Sequence, residues 1–333
     1  MDIAAPIIAL AIVLVLVFAL VPRPRLNPAR PRTHVPQELT PAELEAWLAE
    51  HENGHDGIIG GAEAVIHWAG GPGVTDLCLL YIHGFSASRQ EIAPVTERVA
   101  AAMGANVVYA RLAGHGLEQN AMEAAAEDWL QSVTDSWEIA SRIGKKVAVI
   151  AVSTGAPLTI WLSQQDAVRD QAHSFILMSP NFRIRNPFGF ILTWPGAYRW
   201  VPMLLGRERS WEPENELAGR YWTPRYQIHA VIEMQKVVDW VRRHPSASHN
   251  IPLATIYMTD DPTISHEAAV DFHHAWEADT KELLEVTIDS NNPQHVFAGD
   301  ITAPHRVDWC VDTCIDFLRL VDTRGQSGYP GSE

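Results

Sequence analysis

The sequence predicts an α/β fold in which a mostly parallel sheet carries helices on both faces. Short apolar runs, typical of buried strands, alternate along the chain with longer stretches of helical periodicity. One such run, residues 145–152, leads directly through Ser153 into a helical stretch. The alternation indicates parallel strands joined by helices. The 333 residues contain no internal repeat and are long enough for one large domain.

Residues 1–22 contain an uncharged, almost wholly aliphatic run from Ile3 to Pro22, which is long enough to cross a bilayer as a helix. We therefore predict a transmembrane anchor. Asp2 precedes the run, whereas four arginines follow it between residues 23 and 32. The positive-inside tendency then places the rest of the chain in the cytoplasm. The alternative is a signal peptide cleaved after Val17-Phe18-Ala19, which would export the protein.

Residues 23–40 are rich in proline and arginine and lack apolar periodicity, which predicts an extended, semi-rigid linker. Residues 41–333 then form the predicted domain. Its first helix begins at Pro41, since Thr40 is a good cap and proline fits the first turn, and it should end at Asn53-Gly54.

The end of this helix contains His51-Glu52-Asn53-Gly54-His55, which matches the H-E-x-x-H signature of zinc proteases. Zinc binding of that kind needs both histidines on one face of a continuous helix. Because Asn53-Gly54 should end the helix between them, we predict a solvated helix end here. A zinc protease using His51 and His55 is an alternative that the broken helix disfavours.

Predicted strand ends carry the groups that acyl transfer requires, namely a serine, a base, a carboxylate and N–H donors for an oxyanion. The run 77–82 leads into His83-Gly84-Phe85, and the run 145–152 leads into Ser153 and Thr154. We expect the N–H groups of Phe85 and Thr154 to be the oxyanion donors. The run 253–258 leads to Asp260 and Asp261, and His295 follows a predicted strand over 283–288.

These motifs together resemble a serine α/β-hydrolase, closest to the carboxylesterase and monoacylglycerol lipase-like branch. The segments that carry the resemblance are His83-Gly84-Phe85, Leu112-Ala113-Gly114-His115-Gly116, Ala151-Val152-Ser153-Thr154-Gly155, Asp261-Pro262-Thr263-Ile264, and His295-Val296 with Asp300. The resemblance implies that Ser153 is the nucleophile, Asp261 the orienting acid and His295 the base, in the chain order typical of this fold. The sequence departs from the family at Ala151 and Gln294, where glycine is usual.

Competing residues lie close to these candidates. Asp261 is preferred to Asp260 because the family spacing to a following aliphatic residue, Ile264, starts from it. His273-His274 should lie on the surface of a helix over 268–278, and His115 should have a structural role. His305 should open the last helix.

The interval between strands 175–178 and 253–258 is too long for an ordinary connection, which predicts a helical cap over about residues 182–250. The aromatic residues of this interval are Phe188, Phe190, Trp194, Tyr198, Trp200, Trp211, Tyr221, Trp222 and Tyr226. Such a cap suits an apolar acyl or aromatic group, although the rings could instead fasten the cap to the sheet. Apolar residues between 228 and 241 follow helical spacing and indicate a packed cap helix.

Composition limits the partners. A net charge of −15 disfavours nucleic acid and would repel an anionic leaflet, so the N-terminal apolar run should hold the protein to a membrane. Three cysteines form no disulfide framework. The Ser-His-Asp mechanism needs neither a metal nor an organic cofactor, and the expected substrate is a small apolar ester.

The predicted activity is hydrolysis of carboxylic esters through an acyl-enzyme. A peptidase or amidase, or an acyltransferase, of the same fold is an alternative, because fold alone does not separate these reactions. A non-catalytic binding scaffold is an alternative from another class.

Overall fold

A computed structural model describes residues 20–244 and 250–327. The strands are β1 (Val65–His67), β2 (Thr75–Ile82), β3 (Asn106–Tyr109), β4 (Gly144–Val152), β5 (Ala172–Met178), β6 (Glu208–Ser210), β7 (Arg225–Gln227), β8 (Leu253–Tyr257) and β9 (Lys281–Glu285). The α-helices are α1 (Pro41–Asn53), α2 (Val95–Met103), α3 (Ala126–Ile143), α4 (Gly155–Ser163), α5 (Asp166–Gln171), α6 (Ala197–Leu205), α7 (Glu216–Tyr221), α8 (Ile228–Arg243), α9 (His266–Ala275) and α10 (Val307–Ser327). Short 3₁₀ helices cover Arg89–Ile92, Gly189–Thr193 and Pro304–Arg306.

The central sheet has the order β1-β3-β2-β4-β5-β8-β9, in which only the β1–β3 pair is antiparallel. The predicted mostly parallel sheet is therefore confirmed. Alternate residues of the central strands face opposite layers, because side chains along a strand alternate with period two. In β2, Cys78 and Leu80 pack into one apolar cluster, whereas Leu79 and Tyr81 pack into the other.

Helices cover both faces of the sheet. Helices α3 and α4 bury Trp129, Trp137 and Trp161 on one face, and α2 and α10 pack together on the other. Cys78, Cys310 and Cys314 are free and fully buried in these layers. The core thus holds the carboxyl ends of β2, β4 and β8 at one edge, where ligand sites of open α/β sheets form.

The last predicted strand differs in its bounds. We expected 283–288, whereas β9 runs from Lys281 to Glu285. The strand pairs only with β8, in a register that joins Leu253 to Lys281 and Tyr257 to Glu285. Pairing therefore stops where β8 stops, and Val286, which follows, is buried in the core instead.

The segment before α1 has no helix or strand between residues 22 and 39, as predicted, but it is not a free spacer. Leu26 and Val35 are buried in the main core. The Trp161 indole N–H donates to the Pro28 carbonyl oxygen (3.0 Å), and Arg142 donates to that of Pro36 (2.7 Å). Proline-rich chain offers carbonyl acceptors without N–H donors of its own, so side-chain donors of α3 and α4 can hold it. The segment is thus extended, as predicted, but it packs against the domain along its length.

The predicted membrane anchor, Ile3 to Pro22, lies outside the described residues except for its last three. Across residues 20–244 and 250–327, no helix combines the length and apolar character needed to span a bilayer.

The interval between β5 and β8 contains α6, α7, α8 and a small antiparallel sheet of β6 and β7 that the sequence analysis did not predict. Helix α8 confirms the predicted apolar spacing, but it packs against α3 and α4 rather than only over the site. Its Glu233 carboxylate accepts the Ala126 N–H (2.8 Å) at the start of α3, and its Lys236 pairs with Glu127 (2.8 Å). This helix fixes the cap to the body of the domain.

Candidate active site

Ser153 lies immediately after β4 in a strained turn. Its φ of 51° is in the left-handed region, which non-glycine residues rarely adopt. The turn is held by the Ser153 N–H, which donates to the Met178 carbonyl oxygen (2.9 Å). A Cβ at Gly155 would lie 2.3 Å from the Ile82 carbonyl oxygen, so glycine is required there. Ala151 is fully buried between β2 and β5, where a methyl group is accommodated.

His295 joins Ser153 to Asp261. Its Nε2 lies 2.8 Å from Ser153 Oγ, and its Nδ1 lies 2.8 Å from Asp261 Oδ2. The second oxygen of Asp261 accepts the N–H groups of Thr263 (2.7 Å) and Ile264 (2.9 Å). The structure therefore brings together the three side chains that the sequence analysis singled out.

Asp261 is held as a carboxylate. Burial raises its pKa, but the imidazole of His295, with its hydrogen bond, and the two backbone N–H donors outweigh burial and bring the pKa below its usual value. Asp260 instead points outward and lies 3.9 Å from Arg185. The structure thus places Asp261, and not its neighbour, beside the imidazole.

The other histidines that were considered lie elsewhere. His115 is buried with its Nδ1 3.1 Å from the Ala113 carbonyl oxygen, consistent with a structural role. His305 lies in the turn that opens the last helix. For His273 the expectation of a surface position was wrong, because its ring is buried with Nδ1 2.9 Å from Thr255 Oγ1, whereas His274 is exposed. The helix spans His266–Ala275 rather than 268–278, and Ala269, Phe272 and His273 form its buried face.

The two predicted oxyanion donors flank Ser153. Gly84 packs against the serine so closely that a Cβ on it would lie 3.1 Å from Ser153 Cβ, and Phe85 follows on the same turn. Thr154 is adjacent to the serine and starts α4. Within the described residues neither amide donates to a protein acceptor. Both N–H groups are thus free to bind a negatively charged oxygen.

Glu91 is a buried acid beneath the site that the sequence analysis missed. Its Oε1 accepts the Tyr81 hydroxyl (2.7 Å) and the Gly84 N–H (2.6 Å), so it fixes the turn that presents Phe85. Burial raises its pKa to about 7, against the lowering effects of these hydrogen bonds and of His295. The only sequence signal is Ser88, three residues earlier, and that spacing is typical of a solvated helix start.

The pKa of Glu91 leads to a test of stability against pH. The folded-state pKa of about 7 lies above the ordinary value of 4.5. Titration of Glu91 therefore contributes its full stabilisation of the folded state below pH 4.5, and this stabilisation is lost as pH rises through 7. Glu91→Gln keeps an acceptor oxygen but cannot titrate. Between pH 4.5 and pH 8 its unfolding free energy, relative to the unmodified protein, should rise by about 3 kcal/mol.

Urea unfolding of the unmodified protein and of Glu91→Gln at pH 4.5 and pH 8 measures this difference in unfolding free energy. The other titrating groups are the same in both proteins, so their contributions cancel. An equal pH dependence for the two proteins would mean that Glu91 titrates normally.

A cavity of about 610 Å³ opens over Ser153 and His295. Its apolar and aromatic lining includes Phe85, Ile184, Trp211, Trp222, Tyr226, Val231 and Met234. Three of the nine predicted cap aromatics thus line the cavity, whereas Phe188, Phe190, Trp194 and Tyr198 are exposed on the outside of the cap. Arg185 and Arg209 stand at the cavity wall together with Glu212 and Glu214. The site can therefore take a mainly apolar group next to the serine.

The H-E-x-x-H segment has a different arrangement from a zinc site. Helix α1 ends at Asn53, between the two histidines, as predicted. Glu52 forms a buried ion pair with Arg111 (2.6 Å) and also accepts the Ala64 N–H (2.7 Å). Its carboxylate is therefore committed to structure. No group of histidine, cysteine or acidic side chains in residues 20–244 and 250–327 is arranged to hold a metal ion.

Comparison with solved structures places this fold among the α/β-hydrolases. A metagenome-derived lipolytic enzyme matches with a TM-score of 0.62 and 18% identity, covering 79% of this chain and 99% of the other. The monoacylglycerol lipase of Paleococcus ferrophilus matches with a TM-score of 0.57 and 15% identity, covering 78% and 99%. Est1E of Butyrivibrio proteoclasticus, with bound ferulic acid, matches with a TM-score of 0.52 and 18% identity, covering 78% of this chain and 95% of the other.

At these identities the likeness shows the fold alone. No protein-family model matches the sequence, and a search of curated proteins gives no match. The chain thus has the α/β-hydrolase fold.

Proposed function

We propose that the protein is a serine hydrolase that cleaves carboxylic esters through an acyl-enzyme on Ser153. The observation that carries this proposal is the continuous chain of hydrogen bonds from Ser153 through His295 to Asp261, with both links at 2.8 Å, at the floor of an apolar cavity. A serine hydroxyl is a weak nucleophile until a base within hydrogen-bond reach takes its proton.

In the acylation step, His295 Nε2 takes the Ser153 proton as the serine oxygen attacks the ester carbonyl. The Asp261 carboxylate holds the imidazole by Nδ1 and stabilises the imidazolium that forms. The N–H groups of Phe85 and Thr154 bind the oxyanion of the tetrahedral intermediate. His295 then gives its proton to the leaving alcohol, and the acyl group stays on Ser153.

In the deacylation step, His295 takes a proton from water, which attacks the acyl carbon. The same two amides hold the second oxyanion, and the proton returns to Ser153 as the acid leaves. The strained φ of Ser153 keeps its oxygen above the turn, where both the imidazole and the substrate reach it.

The reaction class is tested with a fluorophosphonate probe and two substrate series. Labelling of Ser153 shows an active serine, and failure to label would indicate a silent scaffold. We expect p-nitrophenyl esters to be hydrolysed much faster than aminoacyl anilides. The reverse order would assign a peptidase or amidase, and product formation only with an added alcohol would assign an acyltransferase.

The apolar cavity predicts a preference for acyl chains longer than acetyl. Each methylene that is buried against the lining can add up to about 0.8 kcal/mol of binding, so kcat/KM should rise from acetyl to medium-chain esters and then level off. Trp222 lines the cavity, and Trp222→Ala should flatten this rise while leaving acetyl ester hydrolysis nearly unchanged. A strict preference for acetyl esters in the unmodified protein would contradict the assignment of this cavity to the acyl group.

We also propose that the apolar run Ile3 to Pro22 holds the protein at a membrane with the domain in the cytoplasm. Its length and lack of charge support this location, as do the arginines that follow it. The protein should resist extraction by high salt and alkali, and protease added to spheroplasts should spare the domain. A mature chain that begins near Leu20 outside the cytoplasm would instead indicate a signal peptide.

A further inference from the structure

The outer surface of the cap exposes a cluster of large apolar side chains. Of the eleven exposed large hydrophobic residues in the described part of the chain, seven lie between residues 188 and 205. We call them the outer cap face: Phe188, Phe190, Trp194, Tyr198, Met203, Leu204 and Leu205. Single exposed apolar residues are normal, but a cluster of this kind marks an interaction surface.

Helix α6 separates the two sides of the cap. Ala197 and Val201 are fully buried beneath it, whereas Met203 and Leu204 are 83% and 73% exposed. None of the seven residues of the outer cap face lines the cavity over Ser153. Their apolar character is thus explained neither by the domain core nor by the candidate active site.

The first described residues of the chain, Leu20 to Pro22, lie at this face. The Gly196 N–H, just before α6, donates to the Pro22 carbonyl oxygen (2.9 Å). Val21 packs against Gly196, since a Cβ there would lie 3.1 Å from Val21 Cγ1. Leu20 is 83% exposed, and residues 3–19, which precede it, carry no charge. The described end of the uncharged run, Leu20 to Pro22, therefore lies next to the outer cap face.

Five exposed arginines lie beside the same face, three of them in a shared groove and two on or just after α6, although the chain carries a net charge of −15. They are Arg23, Arg25, Arg199, Arg207 and Arg243. None of them has a carboxylate within 4 Å among the described residues.

A groove of about 510 Å³ joins these charges to the apolar face. Arg23, Arg25 and Arg243 line it together with Phe190 and Trp194. Its one acidic lining residue, Asp239, already accepts hydrogen bonds from the Thr193 hydroxyl and the Gln235 amide. The groove therefore offers cationic side chains directly beside exposed aromatic rings.

We propose that the outer cap face docks on a phospholipid bilayer, with its apolar side chains among the lipid chains and the surrounding arginines at the phosphates. An apolar surface bordered by cations matches the layered chemistry of such a membrane. If residues 1–19 covered the face, their one charged side chain, Asp2, would be the only counter-charge for five arginines. If a second copy of the chain covered the face, the arginines of the two copies would repel each other. The docking does not depend on ester hydrolysis.

The test uses the full chain with a fluorescent label at Leu204→Cys. Cys78, Cys310 and Cys314 are fully buried, and burial raises the pKa of their thiols, that of Cys314 to about 12, so the label attaches to the new cysteine. The matched control is Asp76→Cys, at the start of β2 on the opposite edge of the sheet. Both proteins are reconstituted in vesicles of phosphatidylcholine and phosphatidylglycerol, with and without a nitroxide-labelled lipid.

We expect the nitroxide lipid to quench the label at 204 several-fold more strongly than the label at 76. Equal, weak quenching at both positions would overturn the proposal. A blue-shifted label at 204 that the lipid does not quench would also overturn it, because the face would then be covered by protein, either residues 1–19 or a second copy.

The arginines are tested in the same vesicles with the Arg199→Glu/Arg207→Glu variant of the Leu204→Cys protein. Quenching should fall toward the level of the control, and should fall further as salt is raised. Quenching that is insensitive to both charge reversal and salt would contradict recognition of phosphate by these residues.

Discussion

Ser153→Ala and His295→Ala should each lower the turnover of p-nitrophenyl esters by about 10⁴- to 10⁶-fold, because a nucleophile and its base act as one unit. The double variant should be little worse than either single variant. Asp261→Asn should be nearly as severe, since the amide cannot hold the imidazole in the required tautomer. Steady-state kinetics on purified proteins of unchanged circular dichroism measure these effects.

Asp260→Asn is the matched control, because Asp260 precedes Asp261 on the same turn but lies against Arg185 at the surface. It should retain activity within a few-fold. Severe loss in Asp260→Asn with mild loss in Asp261→Asn would show that the wrong carboxylate is assigned. Full activity in Ser153→Ala would refute the acyl-enzyme.

Glu52→Gln and Arg111→Met should each lower the free energy of unfolding by about 3–5 kcal/mol, because each leaves one partner of a buried ion pair without its counter-charge. The side chains of Glu52 and Arg111 are only 9% and 4% exposed. The double variant should cost less than the sum of the two. Urea denaturation gives the unfolding free energies, and the ester turnover of the folded fraction should change little.

His51→Ala is the control on the same motif. Its ring is exposed and stacks on Trp47, so its loss should cost less than about 1 kcal/mol. Loss of activity in His51→Ala, together with stoichiometric zinc in the unmodified protein, would contradict a structural role for Glu52.

The candidate site could be predicted from sequence because its signals are local. An apolar strand followed by small residues around Ser153 specifies the turn, and Ser153, Asp261 and His295 follow the ends of β4, β8 and β9 in chain order. The choice of Asp261 depended on its spacing to Ile264. In the structure, the Ile264 N–H is one of the two donors that hold the carboxylate.

The features that escaped prediction depend on contacts between distant parts of the chain. Glu91 has the pattern of a solvated helix start, and only the packing of the turn against Tyr81 and Gly84 shows that it is buried. His273 lies on the buried face of its helix with Ala269 and Phe272, where Thr255 of β8 gives its ring a polar partner, and that partner is 18 residues away in sequence. The cap aromatics were visible in composition, but which of them face the cavity depends on the course of α6 and the β6–β7 sheet.

The packing of residues 22–39 on α3 and α4 extends the folded unit back at least to Pro22, well before the boundary at residue 41 that composition suggests. A chain shortened to begin near Pro36 would leave the Trp161 indole without its acceptor and uncover the apolar site that Leu26 fills. Insertions and deletions are tolerated where backbone is exposed and unbonded. Related chains should therefore keep a constant length between Pro22 and α1.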